Sequence, residues 1–437
     1  PLNALTCLPG ADTLGNCWLQ VVQAESEHGH RTVSVTFDLH QAFILTRVQQ
    51  NGLIGSCETT HQPAPISNQI PDWRAPTRIH YPWDALWTVI LTGLLAGPPN
   101  ILALTQWLAG HREVLCQHLG LDRLPQQAMI YRFFWSLDQH LPELQGVLLD
   151  WVKAQHPTAH DRLVILAGDG KVLKGSAREG RSALSFLSVF FHELALTVAQ
   201  VDQAGRHEAK GMQDLLPTLT TLFGNGWLVT LDAAYTEREL TTRIDEAGGA
   251  YLVPLKNNTR SLKEWAKFAF TYPAHDHVVD VERRSGEIWE RRTSVITGAQ
   301  VPDDIKEGLC GVQTLIRREH QVTRRDGTQR VEVRYAVSSL LLTAQEAERI
   351  WRGHWGIENR SHHCRDVVLH EDACRLRKGA QGRAMLNGVI VALLSGQTRQ
   401  ITALVRHLTI DPLLALQLLF LNSRQDKSPR SDGFSGL

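Results

Sequence analysis

Three acidic residues carry the strongest chemical signal in this chain: Asp169, Asp232 and Glu358. Asp169 follows the apolar run Leu163–Ala167 within Gly168-Asp169-Gly170-Lys171, and Asp232 follows Trp227–Leu231. Short continuous apolar runs read as buried strands, so both carboxylates are expected at strand ends. Glu358 lies in a helical pattern that opens at Thr343, with Glu346 as its capping-box partner. At 3.6 residues per turn, Trp351, His354, Glu358, His362 and Arg365 share one face of that helix. Carboxylates converging from separate elements suit two-metal phosphoryl transfer, with ions about 3.5–4 Å apart flanking the attacking and leaving oxygens. Hard Mg²⁺ or Mn²⁺ is the cation that such oxygen donors take. Lys171 and Lys174 would then meet phosphates as point charges. Taken singly, each acid has a plainer reading: an Asp after a strand is commonly a turn former, and a helical Glu is commonly solvated. The case rests on the three together, in order, on separate elements.

The elements that must position them form a mixed pattern. Strands are expected at Leu163–Ala167, Ser182–Phe191 and Leu194–Val201, followed by a helix over Lys210–Phe223. A strand at Trp227–Leu231, a helix at Glu237–Ala247, a strand at Tyr251–Leu255 and a helix at Leu262–Phe270 come next. Three strands, helix, strand, helix, strand is an α/β arrangement of the ribonuclease-H-like kind, a mixed sheet covered by helices. In such sheets functional groups gather at strand ends. Residues 275–340 break the rhythm with short alternating stretches, expected as a β-rich insertion before the last catalytic helix. The helix from Thr343 and two more, at about Ala380–Leu394 and Thr402–Leu421, complete the core over 341–421, whose first part is 159–274.

Ahead of the core, residues 77–158 read as a helical domain. Trp83, Leu86, Val89, Ile90 and Leu94 line one face of its first helix, which Gly97-Pro98-Pro99 ends. A third helix after Pro125 places Met129, Phe133, Phe134 and Leu137 inward and Gln126, Gln127, Tyr131 and Arg132 outward. That suits a helix-turn-helix-like DNA reader, and equally a small bundle without a DNA role. Residues 1–76 are an unassigned extension and linker, with a strand pattern at Thr32–Leu39 and four prolines between His61 and Pro76. The polar stretch 422–437 reads as a disordered tail.

Composition narrows the classes. Lys plus Arg balances Asp plus Glu at 45 each over 437 residues, so no global basic field marks a nonspecific DNA coat. Charge is local instead: Arg349–Lys378 holds seven Lys/Arg and four His against four Asp/Glu. Seven scattered cysteines without CxxC spacing imply neither a disulfide framework nor a zinc ribbon, and fit a reducing cytoplasm. His362, His363, Cys364, His370 and Cys374 match no standard zinc-finger spacing. The apolar run at Val389–Leu394 is too short to span a bilayer, and no basic-then-apolar signal sequence is visible.

Several blocks, in order, resemble one family. DGKVLKGS (Asp169–Ser176), VTLDAAYT (Val229–Thr236), YLVPLKNN (Tyr251–Asn258), RYAVSSL (Arg334–Leu340) and HWGIENRSHHCRDVVLHEDACRLRKG (His354–Gly379) look like those of insertion-sequence DDE transposases. The likeness is to the H-repeat-associated (ISAs-type) group and runs from about Tyr81 to Leu394. It implies Asp169, Asp232 and Glu358 as a metal-binding catalytic triad, and the 77–158 segment as the group's associated N-terminal domain. The wider family's Tyr, Arg, Glu, Lys pattern around the last acid meets Trp351, His354, Glu358 and Arg365 here, so only the Glu is retained. His354, Arg365, Lys256, Arg375 and Arg377 become candidates for DNA contact. Related transposases stack an aromatic on a flipped base, which makes Trp289, beside Arg291 and Arg292, a further candidate; a structural Trp is the plainer reading.

The function so implied is Mg²⁺- or Mn²⁺-dependent cleavage and strand transfer of double-stranded DNA at terminal inverted repeats, in a homodimer or higher synaptic multimer in a bacterial cytoplasm. The competing readings are a standalone or domesticated ribonuclease-H-like nuclease and an inactive DNA-binding remnant.

Overall fold

The computed structural model describes residues 9–11, 17–19, 70–155, 163–203 and 208–420. The strand expected at Thr32–Leu39 and the tail from Asn422 lie outside the described residues. One unit, formed from both ends of the chain, contributes an antiparallel pair, Pro9–Ala11 with Cys17–Leu19. Everything below belongs to the other unit, residues 38–422.

Its centre is a nine-stranded mixed sheet. Five core strands come first: β1 (Val164–Leu173), β2 (Leu184–Phe191), β3 (Leu196–Asp202), β4 (Trp227–Thr230) and β5 (Ala250–Leu255). Four more follow: β6 (Asp276–Arg284), β7 (Glu287–Thr297), β8 (Thr314–Thr323) and β9 (Gln329–Ser338). Across the sheet the order is β3-β2-β1-β4-β5-β9-β8-β7-β6. β1, β2 and β3 are antiparallel neighbours, whereas β4 lies parallel to both β1 and β5. This is the expected ribonuclease-H-like sheet. Parallel neighbours need crossovers, and the helices Glu208–Phe223 and Arg238–Glu246 supply cover for them.

The β-rich insertion continues this sheet. β9 pairs antiparallel with β5, Tyr335 opposite Leu255 and Ser338 opposite Leu252. Long strands that alternate in polarity bury their inner halves and leave the outer hairpin ends in solvent. β8 shows this directly, with Thr314, Leu315 and Ile316 buried and Arg317 to Thr323 only partly so.

β1 is longer than the apolar run suggests. It runs on through Asp169 to Leu173 because β2 keeps pairing with it there, Asp169 opposite Ser188. Asp169 is therefore an interior strand residue, which corrects its expected place at a strand end. β4 does stop at Thr230, two residues before Asp232.

The helical N-terminal segment packs on this sheet through one continuous core. Its first helix, Trp83–Leu95, is buried at every residue from Leu86 onward, as a helix apolar on all sides must be. Helices Ile101–Gly110, Arg112–Leu119, Gln127–Gln139 and Leu141–Gln155 follow. In the fourth, Phe133, Phe134 and Leu137 are buried while Tyr131 and Trp135 stay exposed. No single helix among the described residues is long and apolar enough to cross a membrane. Ala380–Gln397 and Ile401–Ile410 meet the length and composition test only jointly, across a bend of 104°.

Candidate active site

The helix that carries Glu358 begins as its sequence suggests. Thr343 accepts from the Glu346 backbone while the Glu346 side chain takes the Thr343 N–H at 2.9 Å, and an α-helix follows over Ala344–Gly356. The insertion anchors it. Asp276 on β6 accepts from Ala344 N at 2.8 Å, and Glu348 takes Arg318 of β8 at 2.6 Å and the Thr293 hydroxyl of β7 at 2.6 Å. Arg318 also lies 5.7 Å from the ring centre of the buried Trp351. The insertion strands thus fix the position from which Glu358 is presented.

Beyond Gly356 the coil widens into π-helical turns over Ile357–His362 and Cys364–Val368. Single π turns inside helices commonly sit at functional sites, because they re-aim side chains without ending the helix. Here the segment crosses the sheet stepwise. His354 Nδ1 is 2.9 Å from Thr230 Oγ1 on β4, His362 Nδ1 is 3.3 Å from Asp169 Oδ2 on β1, and Asp366 pairs with Lys171 further along β1. Alternation places Thr230 and Asp232, and likewise Asp169 and Lys171, on one side of the sheet. The last β1–β4 partners are Ala167 and Thr230, so Asp169 and Asp232 each stand two residues past the same level.

Asp169, Asp232 and Glu358 open into one cavity of about 700 Å³, together with Thr230, Lys256 and His354. Burial and then the nearby Asp169 carboxylate push the Glu358 carboxyl above its usual range. Burial also opposes the charge on Asp232, but the Lys256 hydrogen bond, 2.8 Å long, and the Ala233 backbone outweigh it and hold that carboxyl low. Burial holds His354 below the usual imidazole value although Asp169 and Asp232 pull the other way. Three carboxyls facing one cavity are a donor set of the right chemistry for a hard divalent cation. Among the described residues no three His, Cys, Asp or Glu side chains are already gathered into a cage for a metal ion. The nearest partners of two of the acids are instead Lys256 and His362.

The other expected contacts divide. Lys174 is exposed and 3.1 Å from Asp372, and Lys256 is exposed. Arg375 is exposed, and Arg377 donates to the Ser176 and Ser182 carbonyls at 2.6 and 3.2 Å; both belong to a separate cleft. Trp289 is half-buried on β7, 5.1 Å from the His320 ring and 3.1 Å from Glu287. Two expectations are corrected. Lys171, expected on a phosphate, is buried between Asp366 and Asp372. Arg365, likewise, is wholly buried, its guanidinium paired with Glu371 at 2.9 and 2.8 Å. In both cases a carboxylate inside the fold outcompetes an external partner, because a buried guanidinium or ammonium must be neutralised locally. Cys374 faces Arg383 at 2.8 Å while His362 faces Asp169, so the His/Cys series is divided among different partners.

Thr230 and Asp366 are partners that the sequence does not announce. Thr230 lies two residues before Asp232, and at a spacing of two that is the one available signal that it shares the acid's side of the strand.

A family model described as "Transposase DDE domain" matches residues 143–395, more than half of the chain. The chain belongs to that family. A second, described as "DDE_Tnp_1-associated", matches residues 67–152 of this transposase. Among its relatives is the "H repeat-associated putative transposase YhhI" of Escherichia coli K12, 24% identical over 326 residues that cover 71% of this chain and 83% of that one. The "Putative transposase YncI" of Escherichia coli O157:H7 is 23% identical over 326 residues, covering 71% and 80%. The solved structure titled as a piggyBac transposase synaptic complex with hairpin DNA matches at a TM-score of 0.40 and 11% identity, covering 83% and 80%. The protein is an insertion-sequence DNA transposase, an enzyme of DNA cleavage and strand transfer, from a family that typically uses divalent metal.

Proposed function

We propose that Asp169, Asp232 and Glu358 are the metal-binding catalytic acids of this transposase, with Mg²⁺ or Mn²⁺ as the cation and the element's own ends as the first substrate. The single observation that carries the reading is the opening of all three acids, from two strands and a helix, into one cavity. When bound, the cations supply the Lewis acidity that activates a water or a DNA 3′-hydroxyl and steadies the leaving oxygen. The chain's own groups prepare the cavity. Lys256, exposed on a flexible stem, neutralises Asp232 in the absence of DNA and can move from that carboxylate to a phosphate oxygen. His354, held 2.9 Å from the Thr230 hydroxyl, lines the cavity beside the acids, and burial disfavours the charged form of its ring. His362 can release Asp169 in the same way that Lys256 releases Asp232.

Lys174, Lys256, Arg375 and Arg377 are the proposed phosphate contacts, and residues 77–158 the associated DNA-binding domain. Trp289 is proposed to stack on an unpaired base near the cut. Two or more copies would hold paired element ends and target DNA in the cytoplasm.

The test is end cleavage of a labelled duplex carrying the terminal inverted repeat. Asp169→Asn, Asp232→Asn and Glu358→Gln are each expected to lower the Mg²⁺-dependent rate by about 10³-fold or more, roughly 4 kcal/mol of transition-state stabilisation, while DNA binding persists. Cleavage at the normal rate in the Glu358→Gln variant would remove that residue from the triad.

A further inference from the structure

A second cleft, of about 460 Å³, lies between the helix Gln127–Gln139 and the segment that follows Cys374. Tyr131, Arg132 and Trp135 form one wall and Arg375, Arg377 and Lys378 the other. No Asp or Glu lines it. Tyr131 and Trp135 are four residues apart, so they stack up one face of their helix; they are 43% and 49% exposed. Exposed aromatics grouped on one face of a cleft mark an interaction surface. The Lys378 ammonium stands 5.4 Å from the centre of the Trp135 ring, a cation–π arrangement at the rim. Arg178 reaches across from the β1–β2 connection and donates to the Arg375 carbonyl. Among the described residues none of these cations is paired with a carboxylate.

The two walls are locked together. Gly379, at φ +84°, packs so closely on the other wall that a Cβ there would lie 2.5 Å from the Phe134 carbonyl carbon and 2.7 Å from Trp135 N. Asp138, from the same helix as the aromatics, accepts from the backbone N–H of Gly379 and, at 2.9 Å, of Gly382. The cleft is therefore preformed, and it spans the helical N-terminal segment and the catalytic core. The wall segment is also continuous with the catalytic one: His362 meets Asp169, Asp366 and Asp372 hold Lys171, and Arg375 to Lys378 follow directly.

We propose that this cleft binds unpaired nucleotides of a DNA strand beside the cleavage site, bases stacked on Trp135 and Tyr131 and phosphates held by Arg132, Arg375 and Lys378. Duplex DNA offers only its phosphate edge to a concave site, since its bases are stacked on one another. A single strand offers both the charge that five cations without a carboxylate partner attract and the flat faces that two exposed rings accept. The cleft would thus grip a strand separated from its complement during end processing, independently of which base it carries. This inference rests on the reading of the chain as a DNA-cutting enzyme.

The probes are a blunt terminal-repeat duplex and the same duplex carrying a ten-nucleotide oligo-dT tail on either strand, with binding followed by fluorescence anisotropy in Ca²⁺ to suppress cleavage. The full-length protein is expected to bind one tailed duplex at least tenfold more tightly than the blunt one. Trp135→Ala should remove about tenfold of that preference, the order carried by one base–aromatic stack, and Trp135→Phe should restore most of it. Arg132→Ala with Lys378→Ala should flatten the salt dependence of the tailed duplex more than that of the blunt one. Unchanged melting of the variants establishes that they fold. Equal affinity for tailed and blunt duplexes, or equal losses on both in Trp135→Ala, overturns the proposal. If the wild type still cleaves its blunt ends in Mg²⁺, that failure belongs to the cleft alone. Failure to bind or cut any of the duplexes would instead count against the underlying reading of the active site.

Discussion

Two clusters of charge meet on the segment that crosses the sheet, one at Glu358 and one at Arg365, and they are built in opposite ways. Around Asp169, Asp232 and Glu358 the pairing is looser: Lys256 and Asp232 keep 59% and 47% of their side-chain exposure, and His362 and Asp169 keep 12% and 24%. Around Arg365 it is sealed. Arg365 and Glu371 retain 1% and 2%, and Asn387 from the helix Ala380–Gln397 donates at 2.7 Å to Glu371 Oε2, the oxygen that also takes Arg365 Nε. An open pair is weak and exchangeable, because water and salt compete for both partners. A sealed pair has no such competitor, and losing one partner strands the other in a low dielectric. The first cluster can trade its partners for cations and phosphates, whereas the second can only hold the segment in place.

Variants can break that contrast. The largest separation of function from stability is expected for Glu358→Gln. Its carboxyl holds a proton more tightly in the fold than in the unfolded chain, so charging it as pH rises through its raised value costs stability. A neutral Gln removes that cost; the melting temperature should hold or rise while cleavage falls as given above. A clear loss of melting temperature would show the acid to be structural.

Arg365→Met is expected to do the reverse, costing about 3–5 kcal/mol by leaving Glu371 charged and buried, as measured by urea unfolding. The double change Arg365→Met with Glu371→Gln should recover part of it, and no recovery would mean that the pair is not the source of the loss. Lys171→Met should cost less, about 2 kcal/mol, since its partners Asp366 and Asp372 keep 30% and 22% exposure and can be rehydrated.

The smallest stability effect belongs to Lys256→Met, about 0–1 kcal/mol. Its visible signature is in pH dependence. Asp232 is held low in the fold with Lys256's help, so the stability from that pair is present above the unfolded value and lost as pH falls through the depressed one. Removing the ammonium raises both Asp232 and Glu358, for which it is also a stabilising charge. The acidic limb of the cleavage profile should therefore move to higher pH. An unmoved limb would show that neither acid governs it.

Much of the fold is legible locally. The strands that begin at Val164 and Trp227 announce themselves as the apolar runs Leu163–Ala167 and Trp227–Leu231, and Thr343 with Glu346 marks its helix start to the residue. Less legible is where β1 ends, because Gly168 to Lys171 looks like a turn until β2 pairs with it. The shared helical face holds from Trp351 and His354 to Glu358, which line one cavity, but beyond the widened coil Arg365 turns inward to Glu371.

By itself the amino-acid sequence determined the ribonuclease-H-like order of strands and helices, the family, and the three acids worth testing, because periodicity and motif spacing are properties of neighbours along the chain. Tertiary structure alone decided which charges remain available. Lys171 and Arg365 sit in the same basic, motif-rich blocks as Lys174 and Arg375, yet the first two are buried against carboxylates and the last two reach solvent. The carboxylate that captures Lys171 is 195 residues away in the chain. Burial and partner choice are set by packing across the sheet, and no local pattern encodes them.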